Sequence, residues 1–265
     1  MSTPPDLQIK PNETFEHLPL APIVEAVIEI RAPAEATWAE AEVMDELKEK
    51  LPDYPAVDLH RQVQHELKVG PGQESEQTLR DLGWRGFQFR SADSLQVARF
   101  NRDQFLFSRL RPYQSWEQFN REGLRLWEIY AALAQPSRVQ RLGLRFVNRI
   151  VLPAQEVRFE DYVRPCAHPT QELNLPLQGF FHHDVLAVPG HAYAINVIRT
   201  LQRPEETGSQ AMAVILDIDA YTIRPFKPSR AALNRRLTEM RWLKNKVFFG
   251  SVTKKAMNIF RGPRK

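Results

Sequence analysis

The chain has 265 residues, 43% of them hydrophobic and 26% charged, proportions that exclude wholesale disorder and suit a globular protein. Its net charge of +4 conceals a split: Tyr221 to Lys265 holds 13 Lys/Arg and one acid, Glu239, or +12, so residues 1–220 carry −8. A lone cysteine, Cys166, excludes an intramolecular disulfide and a thiolate-rich metal centre, and neither a signal peptide nor an apolar run of roughly 20 residues is present, so no membrane contact and a cytoplasmic location are expected.

Residues 1–20 read as an extended, proline-bearing arm. Val24, Ala26, Ile28 and Ile30 then alternate with Glu25, Val27, Glu29 and Arg31, the period of a half-buried strand. Thr37-Trp38-Ala39-Glu40 reads as a capping box for a helix with Met44, Leu47 and Leu51 on one stripe, ended by Pro52 and Pro55. Alternation resumes from Val57 to Val69, and the polar stretch 70–83 predicts a loop. Three strands follow at Trp84–Ser91, Leu95–Asn101 and Gln104–Arg111. Ser115-Trp116-Glu117-Gln118 opens a helix whose apolar face is Phe119, Leu126, Trp127, Tyr130 and Leu133, closed by Pro136.

The second half restarts with a strand at Val139–Leu152, a short helical candidate in RFEDYVRP, and strands near Leu177–Val188, Ala192–Leu201 and Ala211–Ile223. Ser229 to Phe260 predicts a helical region with Leu233, Leu237, Met240, Val247 and Phe248 on one face. A break is expected at Gly250-Ser251, with Ser251 capping the last piece. These elements predict an α+β fold of antiparallel sheets with helices packed on one face. The expected units are the arm 1–20, a first α+β half 21–137 and a second half 138–265, together or as one domain. The order β-α-β4-α, then β-α-β3-α, resembles the tandem element order of TATA-binding-protein and helix-grip folds, an analogy of fold that carries no function.

The segments APIVEAVIEIR, GWRGFQFRSAD, FNRDQFLFSRLRPYQSWEQF, RVQRLGLRFVNRI, LDIDAY and FFGSVTKKAMNIF, between Ala21 and Phe260, resemble an uncharacterised family of sporadically distributed bacterial proteins. The resemblance implies a horizontally moved context, such as a mobile, toxin-associated or defence locus. It implies no catalytic residues.

The strongest local signal is QRLGLRFVNRI. On a strand Arg141, Arg145 and Arg149 share one face with successive spacings of about 13 Å, a ladder of forked donors suited to phosphate or carboxylate. The competing use is pairing with acids on neighbouring strands. Asp217 and Asp219 share one face of VILDIDAY, as do Glu25 and Glu29 of the first strand. Such carboxylates suit either cross-strand salt bridges or, in an alternative reading, Mg²⁺ with substrate phosphates completing its shell. The E-x-E-x-K signature of triphosphate tunnel enzymes is imitated only by Glu29-Ile30-Arg31.

The basic segment supplies Arg230, Arg235, Arg236, Arg241, Lys244, Lys246, Lys254, Lys255, Arg261, Arg264 and Lys265. These residues are candidates to neutralise phosphates of a polyanion, or to dock on the acidic body of the same chain. Phe87, Phe89, Phe105 and Phe107 are candidates for base stacking or for a buried sheet face. His182, His183, Asp184 and His191 do not converge on a regular strand, and Cys166 with His168 has no activating context. Gly70-Pro71-Gly72 lacks the lysine and helix start of a phosphate loop.

Two functional readings follow. The first is a non-catalytic binding or regulatory protein contacting nucleic acid or a partner protein through the basic C-terminal region. The second is a metal-assisted enzyme acting on a phosphorylated small molecule through Arg141, Arg145 and Arg149 with Asp217 and Asp219. A third use, a sheet that forms the interface of a homo-oligomer, is also open.

Overall fold

Alternating apolar positions become strands in the computed structural model, which describes residues 5–68, 76–152, 158–164, 179–202 and 212–263, and only the backbone of 62–68 and 76–82. Along the chain lie β1 (Ile23–Arg31), α1 (Glu40–Lys50), β2 (Ala56–Lys68), β3 (Glu76–Arg90), β4 (Gln96–Asn101), β5 (Gln104–Leu110) and α2 (Trp116–Ala134). They are followed by β6 (Arg141–Val151), a 3-10 turn at Phe159–Asp161, β7 (Phe181–Ala187), β8 (Tyr193–Gln202), β9 (Ala213–Thr222), α3 (Arg230–Ser251) and α4 (Lys254–Arg261).

The nine strands form one antiparallel sheet in the order β2-β3-β4-β5-β1-β6-β9-β8-β7. The two parts of the chain therefore share a single sheet, joined where β1 pairs with β6 through Ala26 opposite Phe146 and Ile28 opposite Leu144. One face of the sheet is the core. Ile28, Ile30, Phe105, Phe107, Leu142, Leu144, Phe146, Leu216 and Ile218 are all buried there, under α2 against β5 and α3 against β6 and β9. Gly123 of α2 permits this approach, since a Cβ there would stand 2.6 Å from Ile28 Cδ1. Because side chains alternate on a strand, the residues in between line the opposite face, which no helix among the described residues covers.

Ser115 caps α2 as expected, its Oγ accepting from the Gln118 N–H at 3.2 Å, and the helix expected from Ser229 is capped by that residue, whose Oγ accepts from the Ala232 N–H at 3.1 Å. Two other starts differ from expectation. Thr37 does not cap α1, which begins after an Ala39 that makes no side-chain cap. Trp38 is the reason: its ring is buried beside Trp84 and Tyr130, and its Nε1 donates to Leu133 O at 3.2 Å. Burial of the indole takes that segment before helix can begin. Similarly Ser251 stays the last residue of α3, and Thr253 caps α4 by accepting from the Ala256 N–H. Val252 between them is extended because it bridges to Val163. The expected loop over 70–83 is shorter, since β3 starts at Glu76 and pairs with β2. Gly70-Pro71-Gly72 lies outside the described residues.

Candidate functional site on the open face of the sheet

The open face collects the alternate residues of every strand. At its centre Glu25, Val27, Glu29 and Arg31 of β1, Arg141, Arg145 and Arg149 of β6, and Asp217, Asp219 and Tyr221 of β9 lie side by side. They arrive there because β6 is flanked by β1 on one side and β9 on the other. A depression of about 390 Å³ is lined by Val27, Leu106, Arg141, Arg145, Ile198 and Asp219, among others.

Within it the arginines and carboxylates satisfy one another. Arg145 donates from Nε to both Asp217 oxygens at 2.9 and 3.0 Å, and from Nη2 to Oδ2 at 2.6 Å. Arg141 donates from Nη2 to Asp219 Oδ2 at 2.6 Å and from Nη1 to Glu29, with its guanidinium 4.6 Å from the Tyr221 ring centre. Glu29 also accepts from Arg31 Nε at 2.9 Å and Gln104 Nε2 at 2.8 Å. Asn196 Nδ2 reaches Asp219 at 3.5 Å. Arg149 leaves the group, its Nε bonded to Gln202 Oε1 at 2.8 Å. Glu25 accepts from Ser108 Oγ.

The electrostatics follow from burial and pairing. Burial pushes the Asp219 carboxyl above its ordinary range, with Arg141 holding it back and Glu29 adding to the rise. The hydrogen bonds to Asp217 raise Arg145 above its ordinary value despite desolvation. The arrangement does not suit Mg²⁺. Both Asp217 oxygens are engaged by Arg145, and Asp219 Oδ2 by Arg141, so an ion there would sit beside guanidinium groups. Among the described residues no group of three or more His, Cys, Asp or Glu is placed to hold a metal.

The basic C-terminal residues lie elsewhere, on α3 and α4, and many pair with the acidic body. Arg230 meets Glu128, Arg241 meets Glu117 at 3.8 Å, Lys246 meets Glu13 at 2.6 Å, Lys255 meets Asp161 at 2.9 Å and Arg261 meets Glu16 at 2.6 Å. Arg236 lies 4.0 Å from the Phe226 ring centre, and Lys244 the same distance from that of Phe146. Arg235 and Lys254 have no ion-pair partner among the described residues; Arg264 and Lys265 lie outside them.

Phe87, Phe89, Phe105 and Phe107 are on the helix-covered face and at most 1% exposed, so none is presented for stacking. His182 and His183 point to opposite faces, Asp184 pairs with Arg199 at 2.7 Å, and His191 meets Leu7 O at 2.8 Å. Cys166 and His168 lie outside the described residues. Tyr221, Gln104 and Asn196 join the central network without having drawn notice in the sequence. Tyr221 stands two residues beyond Asp219 on the same strand face, the one signal that was available.

Fold and site together define an α+β protein with one antiparallel sheet, helices on one face and a charged network on the other. Among known proteins, no family model matches the chain, and no curated protein matches it at a significant level. Among the described residues no helix is long and apolar enough to cross a membrane.

Proposed function

We propose that this chain is a non-catalytic binding protein whose working surface is the open face of the sheet, and whose partner is a protein of mixed surface charge. One observation carries the reading. The described side chains of that face include five carboxylates (Glu25, Glu29, Asp58, Asp217, Asp219) against six guanidiniums (Arg31, Arg90, Arg99, Arg141, Arg145, Arg149). A nucleic acid draws its affinity from uncompensated cations. A near-balanced lattice instead suits a protein surface carrying both signs, where it sets register and partner choice. The ion pairs made by Arg230, Arg241, Lys246, Lys255 and Arg261 support assigning much of the +12 segment to docking within the chain.

The strand order is compatible with the tandem reading. Outward from the β1–β6 seam run β5, β4, β3 and β2 on one side and β9, β8 and β7 on the other, as two halves of a TATA-binding-protein-like order would place them. A bacterial mobile or defence locus is the proposed setting, resting on the resemblance of sequence segments. The partner would then be a product of an adjacent gene.

Co-expression with each flanking gene product tests this. The expected result is co-purification with one of them, lost on Leu106→Glu or Ile198→Glu in the central depression but kept on Arg235→Glu or Lys254→Glu. Fluorescence anisotropy with a labelled duplex DNA is expected to show no binding at physiological salt. Salt-dependent DNA binding that is abolished by Arg235→Glu and Lys254→Glu and untouched by Leu106→Glu would overturn the proposal.

The metal-assisted enzyme keeps one observation in its favour: Arg141, Arg145, Asp217 and Asp219 do line one depression. Turnover of a phosphorylated small molecule that requires added Mg²⁺ and is lost on Asp217→Asn would establish it in place of the binding reading.

A further inference from the structure

A second cavity lies on the helical side of the sheet. The arm at residues 15–19, Ala21, the start of β1, the turn Tyr113–Glu117, Asn148 of β6 and the middle of α3 enclose about 350 Å³. That size falls within the usual range for small-molecule sites of roughly 300–1,000 Å³. Its walls mix polar groups with the apolar side chains of Phe15, Leu18, Ile23, Trp116, Phe248 and Phe249. Phe15 stacks on Phe249 at 5.5 Å, so the arm is held as one wall.

Lys244 turns its amine over the buried Phe146 ring at 4.0 Å, and it has no carboxylate partner among the described residues. Its neighbours on α3, Arg241 and Lys246, each have one. Asn148, 1% exposed, gives its Nδ2 to Phe146 O and Leu216 O. The α2 helix begins at the cavity wall. Ser115 occupies the Gln118 N–H, and the N–H groups of Trp116 and Glu117 are among those a helix start leaves without intrahelical partners.

The other charged or titratable groups lining the cavity are Arg241 on α3, Glu117 on α2, Glu16 and His17 on the arm, and Tyr113 before α2. Glu16 is held by Arg261 at 2.6 and 2.8 Å, and Glu117 lies 3.8 Å from Arg241. Both acids are therefore paired with cations other than Lys244. Burial, with Arg241 adding to it, pushes the Lys244 amine down to about 7.

We propose that this cavity binds a small organic monocarboxylate, its carboxyl group facing Lys244 and the start of α2 and its hydrocarbon body against the aromatic walls. One uncompensated amine matches a single negative charge, and the aromatic side chains Phe15, Trp116, Phe248 and Phe249 suit a hydrocarbon body better than a bare phosphate. The site is independent of the open face and of the reading given to it.

Isothermal titration calorimetry of the full chain with sodium octanoate tests the proposal, with 1-octanol and inorganic phosphate as controls. Octanoate is expected to bind in the sub-millimolar range near pH 6, with octanol and phosphate at least about tenfold weaker. Above pH 7 the affinity should fall about tenfold per pH unit, because the free amine must take up a proton to hold the carboxylate. That uptake appears as a binding heat that changes with the ionisation enthalpy of the buffer. Lys244→Met should weaken octanoate binding at least about tenfold while Lys244→Arg largely preserves it. Equal binding of octanol and octanoate, tighter binding of phosphate, pH-independent affinity in the unmodified chain, or undiminished binding by Lys244→Met would each overturn the proposal.

Discussion

Arg141→Met is the most informative substitution on the open face. The Arg141 side chain is 18% exposed and bridges Glu29, 19% exposed, and Asp219, 17% exposed. Removing one partner of a buried pair costs about 3–5 kcal/mol, because the other charge is left desolvated and unpaired. Here Glu29 keeps Arg31 and Gln104, so the main loss falls on Asp219, and residual exposure admits some water. The expected cost is about 2–4 kcal/mol at neutral pH. Asp219 already has its carboxyl raised by burial, with Arg141 opposing the rise, so the substitution raises it further. A carboxyl whose folded pKa lies above its unfolded value favours folding when protonated, and that contribution is lost as pH rises through the folded pKa. The deficit of Arg141→Met should therefore be largest at neutral pH and shrink as pH falls into the carboxylate range. Urea unfolding followed by tryptophan fluorescence at several pH values measures it. Adding Asp219→Asn to Arg141→Met should return about 1 kcal/mol or more at neutral pH, although Asp219→Asn alone destabilises. A deficit below about 1 kcal/mol, or one independent of pH, would refute the argument that Arg141 compensates a desolvated carboxylate.

Three further outcomes are expected. Gly86→Ala should cost about 3 kcal/mol in thermal or urea melts, because its Cβ would stand 2.0 Å from the Phe100 carbonyl oxygen and force β3 from β4; Gly179→Ala, which meets nothing within 4 Å, serves as the control. Phe107→Ala should cost about 3–5 kcal/mol as a buried ring facing Phe119, and a fully stable variant would show that this face is not core. Glu13 has its carboxyl lowered by hydrogen bonds from Lys246 and then Trp242, so its contribution to holding the arm is present above its unfolded pKa and lost as pH falls through the folded value. Limited proteolysis should accordingly cut the arm more readily in acid, and Glu13→Gln should make it sensitive at neutral pH; equal cleavage rates in both would count against the link.

Much of the fold was readable because alternation and capping are local. Ser115 and Ser229 start their helices where the sequence places them, and the strands coincide with alternating runs except for the first part of β3, which occupies a stretch read as loop. The misplaced boundaries at Thr37 and Ser251 have one cause: a distant contact overrides the local cap. Trp38 is buried against Tyr130 and bonded to Leu133 O, while Val252 bridges to Val163. The candidate site was legible as parts. Arg141, Arg145, Asp217, Asp219 and Glu29 all drew notice, but nothing local distinguished self-pairing from a shared ligand site. The unmatched position of Lys244 was equally hidden, because it reads in sequence as one more cation on a basic helix.

The amino-acid sequence by itself determined which residues lie on the same face of each strand, because the two-residue period is a property of the extended backbone. It determined the split between an acidic body and a basic tail, and the helix starts at Ser115 and Ser229. Only the tertiary structure decided which strands are neighbours. Alternation sets the side a residue points to, and never the strand beside it. Arg141 meets Glu29 across 112 residues and Asp219 across 78 because β6 lies between β1 and β9. The same order of strands, with α3 laid across β6 and β9, turned several tail cations onto acids of the body and left Lys244 over Phe146 with no carboxylate partner among the described residues.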